Sequence, residues 1–225
     1  MLIAKKALLG GVAALVCALS FGWVALAPVP STAPLAIPKS TIQRVAPAAP
    51  AAATPPSPVP VADVVVPASA PLQLRIASIG LDGAVSEYTQ EMIDERGGFD
   101  PSEPTTISWD TTIPDGLAGT DAANTVYLYG HTWIDMAVFN GLKDLQPGAV
   151  ASVDTANGTL CYVAQKTLLL DKAEYKTNDE LTNAIPNRLV LVSCSRPVGY
   201  DPGVATVQNI AVVLQLDQEK TNVGC

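Results

Sequence analysis

Between residues 28 and 71, twelve of 44 positions are proline, most others are Ala, Val, Ser or Thr, and no aromatic residue occurs. Such a stretch buries too little apolar surface to offset the entropy of ordering it, and its prolines favour extended polyproline backbone. It reads as a disordered Pro/Ala-rich linker, on the order of 100 Å long at ~3 Å per residue when fully extended. Folding is thereby confined to residues 72–225, whose 154 residues suffice for one domain with one core.

The linker follows an address. Residues 1–27 carry Lys5 and Lys6 and then 21 uncharged, almost wholly apolar positions, against the ~20 that span a bilayer core. No further positive charge appears until Lys39, so the positive-inside bias puts the N-terminus in the cytoplasm and the remainder outside. Ala25-Leu-Ala27 before Pro28 also fits a signal-peptidase site, but the apolar run exceeds the usual 7–15 residues of a secretion signal. An uncleaved single-pass anchor in the cell membrane is the expectation, with an extracellular domain and Cys17 as a membrane-buried thiol.

Residues 72–225 hold nine Lys and Arg against twenty Asp and Glu, a net charge of −11. Without clustered basic residues, nucleic acid is excluded as a partner. The remaining cysteines are Cys161, Cys194 and Cys225, in a compartment that permits disulfides. Three thiols cannot all pair. Joining Cys161 to Cys225 leaves Cys194 free, though spacing does not fix the pairing. No Cys-x-x-Cys occurs and there is one histidine, so neither a metal site nor a cofactor is expected. The acidic cluster Glu91, Asp94 and Glu95 reads as a solvated face rather than a calcium site.

The domain favours strands. Leu72-Gln-Leu-Arg-Ile76 alternates apolar and polar, and Ile79-Gly-Leu-Asp-Gly-Ala-Val85 continues it after a bend. Residues 149–154 and 159–164 flank Ala156-Asn-Gly158, a hairpin signal. Runs at 166–170, 189–194 and 209–216 follow. Helical pattern is sparse: Phe139, Leu142 and Leu145 suit one short helix over residues 136–145, and residues 179–185 another turn. Many short strands with Pro- and Gly-rich turns point to a β-barrel or sandwich.

Two of the apolar runs end in reactive side chains. Thr125-Val-Tyr-Leu-Tyr-Gly-His131 closes on the single histidine. Leu189-Val-Leu-Val-Ser-Cys194, 63 residues later at its cysteine, is followed at once by Ser195 and Arg196. A thiolate attacks, an imidazole moves protons and a guanidinium steadies an oxyanion. The competing readings are structural: an inert core thiol, a satisfied turn histidine and a solvated arginine. Trp109, Trp133, Tyr127 and Tyr129 are expected to serve packing first.

In order and spacing these pieces resemble the sortase family, the membrane-anchored cysteine transpeptidases of Gram-positive bacteria, and within it the actinobacterial class E and F types. The resemblance spans most of residues 72–216. It is carried by Leu-Arg-Ile-x-x-Ile-Gly-Leu-Asp at the start, Ile-Ser-Trp109, Gly-His131, Val-Phe-x-x-Leu-x-x-Leu-x-x-Gly148, Leu-Val-Leu-Val-Ser-Cys194 and Asn209-Ile-Ala-Val-Val. It implies a mostly β fold: an eight-stranded sortase-type β-barrel with one or two short helices, in which His131 and Cys194 face each other at the barrel edge. It also implies peptide sorting signals of the Leu-x-x-Thr-Gly type as donors and a cell-wall peptidoglycan precursor amine as acceptor. In one respect the chain departs from the family. The arginine expected near the start of the last strand is missing from Val204-Ala-Thr-Val-Gln-Asn209. Arg196, two residues past Cys194 and on its face in an extended chain, is expected to substitute. A catalytically weak sortase-like module for surface binding or scaffolding is the alternative. A peptidoglycan L,D-transpeptidase ranks last, because its Ser-His-Gly-Cys signature is absent.

Overall fold

The computed structural model describes residues 62–101 and 103–225. The expected anchor, Cys17 and most of the expected linker lie outside the described residues. Eight strands close into one barrel: β1 (Pro71–Ile76), β2 (Leu81–Tyr88), β3 (Ile107–Asp110), β4 (Thr125–Tyr129), β5 (Val150–Thr155), β6 (Gly158–Asp171), β7 (Arg188–Cys194) and β8 (Gln208–Leu216). Their order around the barrel is β1-β2-β3-β4-β7-β8-β6-β5, with β5 returning to β1. The β2–β3 and β4–β7 pairs are parallel and the other pairs antiparallel. The mostly β barrel expected from the sequence is present.

Strand parity sorts the apolar residues into two cores. Leu128, Leu189, Leu191, Val212 and Leu214 point inward with Phe139, Leu142 and Tyr162. Tyr127, Tyr129, Val190, Val192, Ala211 and Val213 point outward, under Phe99, Leu168, Leu170, Leu181 and Tyr175. That second, smaller core forms the floor of an outer groove, and the site lies at its open end.

Three features differ from the sequence expectation. The runs at 159–164 and 166–170 are one strand, β6, whose register slips between Ala164 and Lys166. The extra residue reverses the parity, so Tyr162 and Ala164 face the barrel interior while Leu168 and Leu170 face outward. Residues 136–145 form turns and a 3-10 turn at Leu142–Asp144 rather than an α-helix, although Phe139, Leu142 and Leu145 are all buried as expected. Three-residue spacing is the 3-10 period. In place of one or two short helices, the described residues hold three: α1 (Gln90–Arg96), α2 (Asp179–Thr182) and α3 (Gln218–Val223). Helix α1 buries none of its residues, so it has no apolar stripe to read. Its signals are the Thr89 side chain accepting from the Met92 amide and Gly97 in left-handed geometry at its end.

The packed chain also begins before residue 72. Val66 is buried, and Ser69 exchanges two backbone hydrogen bonds with Ala118. The last residues assigned to the linker thus belong to the domain, because they find backbone partners in the 118–121 segment.

Cys161 and Cys225 form a disulfide that ties α3 to β6 and leaves Cys194 as the free cysteine among the described residues. The bridge closes a 64-residue separation. Cys225→Ser is therefore expected to lower stability by about 2–4 kcal/mol, measured by chemical denaturation with a slope fitted for each protein, since opening the loop expands the unfolded chain. Stability equal to that of the unmutated chain would mean that the bridge contributes nothing to the fold.

Candidate active site

Strands β4 and β7 run parallel, with Tyr129 beside Val192. Extending that register by two residues sets His131 beside Cys194. The continuation is stitched by hydrogen bonds: the Gly130 amide donates to the Val192 carbonyl at 3.2 Å, and Ser193 Oγ donates to the Gly130 carbonyl at 2.7 Å. Thr132 Oγ1 then donates to the Cys194 carbonyl at 2.7 Å, and Arg196 Nε to the Thr132 carbonyl at 2.8 Å. Glycine precedes the histidine for a steric reason. A Cβ at residue 130 would lie 2.7 Å from Val138 and 2.8 Å from Phe139.

The imidazole is held from the other side. His131 Nε2 donates to the Pro101 carbonyl at 2.7 Å, and Asp100 Oδ1 lies 3.7 Å from the same nitrogen. A carbonyl can only accept, so Nε2 carries a proton and Nδ1 is the basic position of the neutral ring. When the ring gains a second proton, the Asp100 carboxylate pairs with it. The 97–104 loop that presents these groups is anchored by its own contacts. Phe99 stacks on Tyr129 with centroids 4.2 Å apart, Tyr88 Oη accepts from the Asp100 amide at 3.2 Å, and the Val138 amide donates to the Pro104 carbonyl.

Arg196 closes the opposite side. Its guanidinium lies between two aromatic faces, 4.4 Å from the Trp133 ring centre and 4.6 Å from that of Tyr200. Its Nη1 is buried and has no hydrogen-bond partner. None of the ion pairs among the described residues involves this arginine. Cys194, His131 and Arg196 all border one cavity of about 820 Å³, floored by Tyr129 and Val192 and walled by the 97–104 loop. A second cavity of about 610 Å³ adjoins Cys194 and Arg196 from the Ile134, Leu169 and Val198 side.

The three residues expected from the sequence are thus together. Of the aromatic residues, Trp109 is buried and donates from Nε1 to the Gly116 carbonyl, while Trp133 packs on Arg196. Tyr127 and Tyr129 share the outer face and pack in its core. Burial pushes the Tyr129 hydroxyl pKa well upward, with the hydrogen-bonded Tyr175 hydroxyl at 2.8 Å adding to the shift. Both phenols therefore stay protonated and give His131 no competition as a base. The expected acidic cluster lies on or beside α1, where Gln90 Nε2 donates to Asp94. Sequence reasoning missed Asp100, Pro101, Thr132, Tyr200 and Asn209. Thr132 was legible as the residue after the histidine; Asp100 and Pro101 were not, because only the tertiary fold brings their loop to the ring.

A free thiol, an anchored imidazole and an unpaired guanidinium at the lip of a groove are equipped for acyl transfer through a thioester. No protein-family model and no curated protein sequence matches the chain. Among solved structures it is similar to sortase C-1 from Actinomyces oris, at 18% identity over 64% of this chain and 72% of that one, with a TM-score of 0.45. It is also similar to sortase A from Listeria monocytogenes, at 13% identity over 66% and 88%, with a TM-score of 0.48. A lid mutant of sortase A from Corynebacterium diphtheriae is similar at 13% identity over 67% and 72%, with a TM-score of 0.47.

Proposed function

We propose that the chain is a sortase-like cysteine transpeptidase of the actinobacterial class E/F type. Its N-terminal anchor holds it in the cell membrane, with the barrel outside the cell. The observation that carries this reading is that His131, two residues past the end of β4, and Cys194, the last residue of the adjacent parallel strand β7, line one cavity. The free Cys194 attacks a peptide carbonyl as thiolate, and His131 protonates the departing amine, leaving a thioester. A cell-wall amine then attacks the thioester and releases the enzyme. Arg196 stabilises the oxyanion of each tetrahedral intermediate. The donor is a C-terminal sorting signal of the Leu-x-x-Thr-Gly type.

Fluorogenic Leu-x-x-Thr-Gly peptides incubated with the protein and an amine test this. The expected result is cleavage, an amine-coupled product and a thioester detected on Cys194 by mass spectrometry. Absence of turnover with every peptide, and of any acyl adduct on Cys194, would leave the surface binding module as the better reading.

A further inference from the structure

The thiol has a second close neighbour, which enters from β8. Cys194 and Asn209 are opposed in the β7–β8 ladder. The next pair along, Ser195 and Gln208, is hydrogen-bonded, the Ser195 amide donating to the Gln208 carbonyl at 2.8 Å. Cys194 and Asn209 therefore occupy the intervening position without ladder bonds. At such positions the Cα atoms are only about 4.5 Å apart and the side chains are at their closest.

Parity puts both side chains on the outer face. Ile210 belongs to the inner core and Ala211 to the outer one, so Asn209 projects with Ala211, as Cys194 does with Val192. Asn209 is half-buried and borders the same cavity as Cys194 and His131. Its other cross-strand neighbour is Leu170 on β6. The row across the sheet reads His131, Cys194, Asn209, Leu170, which leaves the carboxamide no polar partner along the row except the thiol. None of the hydrogen bonds among the described residues engages that carboxamide.

We infer that Asn209 is a catalytic residue that donates a hydrogen bond from Nδ2 to the oxyanion formed on attack by Cys194; the inference rests on the transpeptidase reading. The sulfur–carbon bond forms, and the carbonyl π pair moves to oxygen, where the Asn209 amide and the Arg196 guanidinium receive it. Asn209 gives up no proton. Collapse of the oxyanion re-forms the carbonyl and breaks the carbon–nitrogen bond, and the amine leaves with the proton held by His131. A neutral donor fixed on a strand is held more rigidly than a guanidinium beyond the strand's end, and it does not depend on the ionic strength.

Two reactions of the full-length protein separate this role from a structural one. Acylation of Cys194 by p-nitrophenyl acetate passes through an oxyanion; alkylation by iodoacetamide attacks a saturated carbon and does not. Both are followed at Cys194 by mass spectrometry, with Cys194→Ala as the blank. Asn209→Ala, and Asn209→Leu with its side-chain volume kept, are expected to slow acylation about 10²–10³-fold while alkylation stays within about twofold. Acylation as fast as in the unmutated chain, or equal loss of both rates, overturns the assignment. If the unmutated chain itself acylates no faster than the blank, the transpeptidase reading falls and the assignment falls with it.

Discussion

In a His131→Ala variant, peptide turnover is expected to drop by about 10³–10⁴-fold, and alkylation of Cys194 near neutral pH by about 10- to 30-fold. The two numbers differ because the imidazole has two tasks. Beside the attacking sulfur it assists either reaction of the thiol, and an ordinary thiol already alkylates at neutral pH without help, which caps that loss. In the proposed reaction it also protonates the leaving amine in the transition state, and the Tyr129 and Tyr175 hydroxyls, their pKa values raised by burial, hold their protons too tightly to replace it there. Iodoacetamide labelling read at Cys194 against pH, alongside peptide turnover, checks both. Equal labelling in the two proteins would mean that His131 and Cys194 do not act together, and the enzyme reading would be abandoned.

The largest expected loss of stability lies at the other end of the outer groove. Arg188, on β7, is 2% exposed and has no carboxylate partner among the described residues. Its guanidinium donates to Thr125 Oγ1 at 2.9 Å, to Tyr127 Oη at 3.2 Å, and to the carbonyls of Glu180 and Asn183 at 2.6 and 2.7 Å. Two of these acceptors are backbone groups at α2 and its end, so the buried cation holds the α2 turn onto the barrel. Arg188→Met keeps much of the hydrocarbon but leaves those acceptors dry and unpaired. A cost of about 3–5 kcal/mol is expected, measured by chemical denaturation. The exposed pair of Arg75 with Asp154 at 2.6 Å is the control, since solvent screens it and Arg75→Met is expected to leave stability nearly unchanged. If the two substitutions cost the same, Arg188 does not fasten α2.

What the sequence revealed and what it hid divide along physical lines. Strands β1, β5, β7 and β8 were legible because each alternates or runs apolar between turn residues, and Ala156-Asn-Gly158 marked the hairpin between β5 and β6. His131 and Cys194 were legible because each ends such a run. Helices α1 and α3 were hidden, as their anchoring is through caps and polar contacts rather than an apolar stripe. The single inserted residue near Ala164 was hidden too, because a bulge appears only once strands pair. Asn209 was not legible as a site residue, because residues 204–209 hold no cation and a neutral carboxamide carries no charge signal. Only the β7–β8 register reveals that residue 209 faces residue 194.

The polar grip of α3 on residues 63 and 64 carries a mechanical consequence. Asp63 and Val64 are gripped by α3: the Val64 amide donates to Asn222 Oδ1, Gln218 Nε2 donates to the Val64 carbonyl, and Asn222 Nδ2 donates to Asp63. From Asn209, opposite Cys194, strand β8 runs on to Leu216, so this grip sits at the opposite pole of the barrel, beyond a strand length of about 24 Å at ~3.4 Å per residue. A pull applied at Asp63 is shared between β1, reached along the chain, and α3, which the Cys161–Cys225 bridge ties covalently to β6. Both attachments lie at the pole of the barrel away from Cys194.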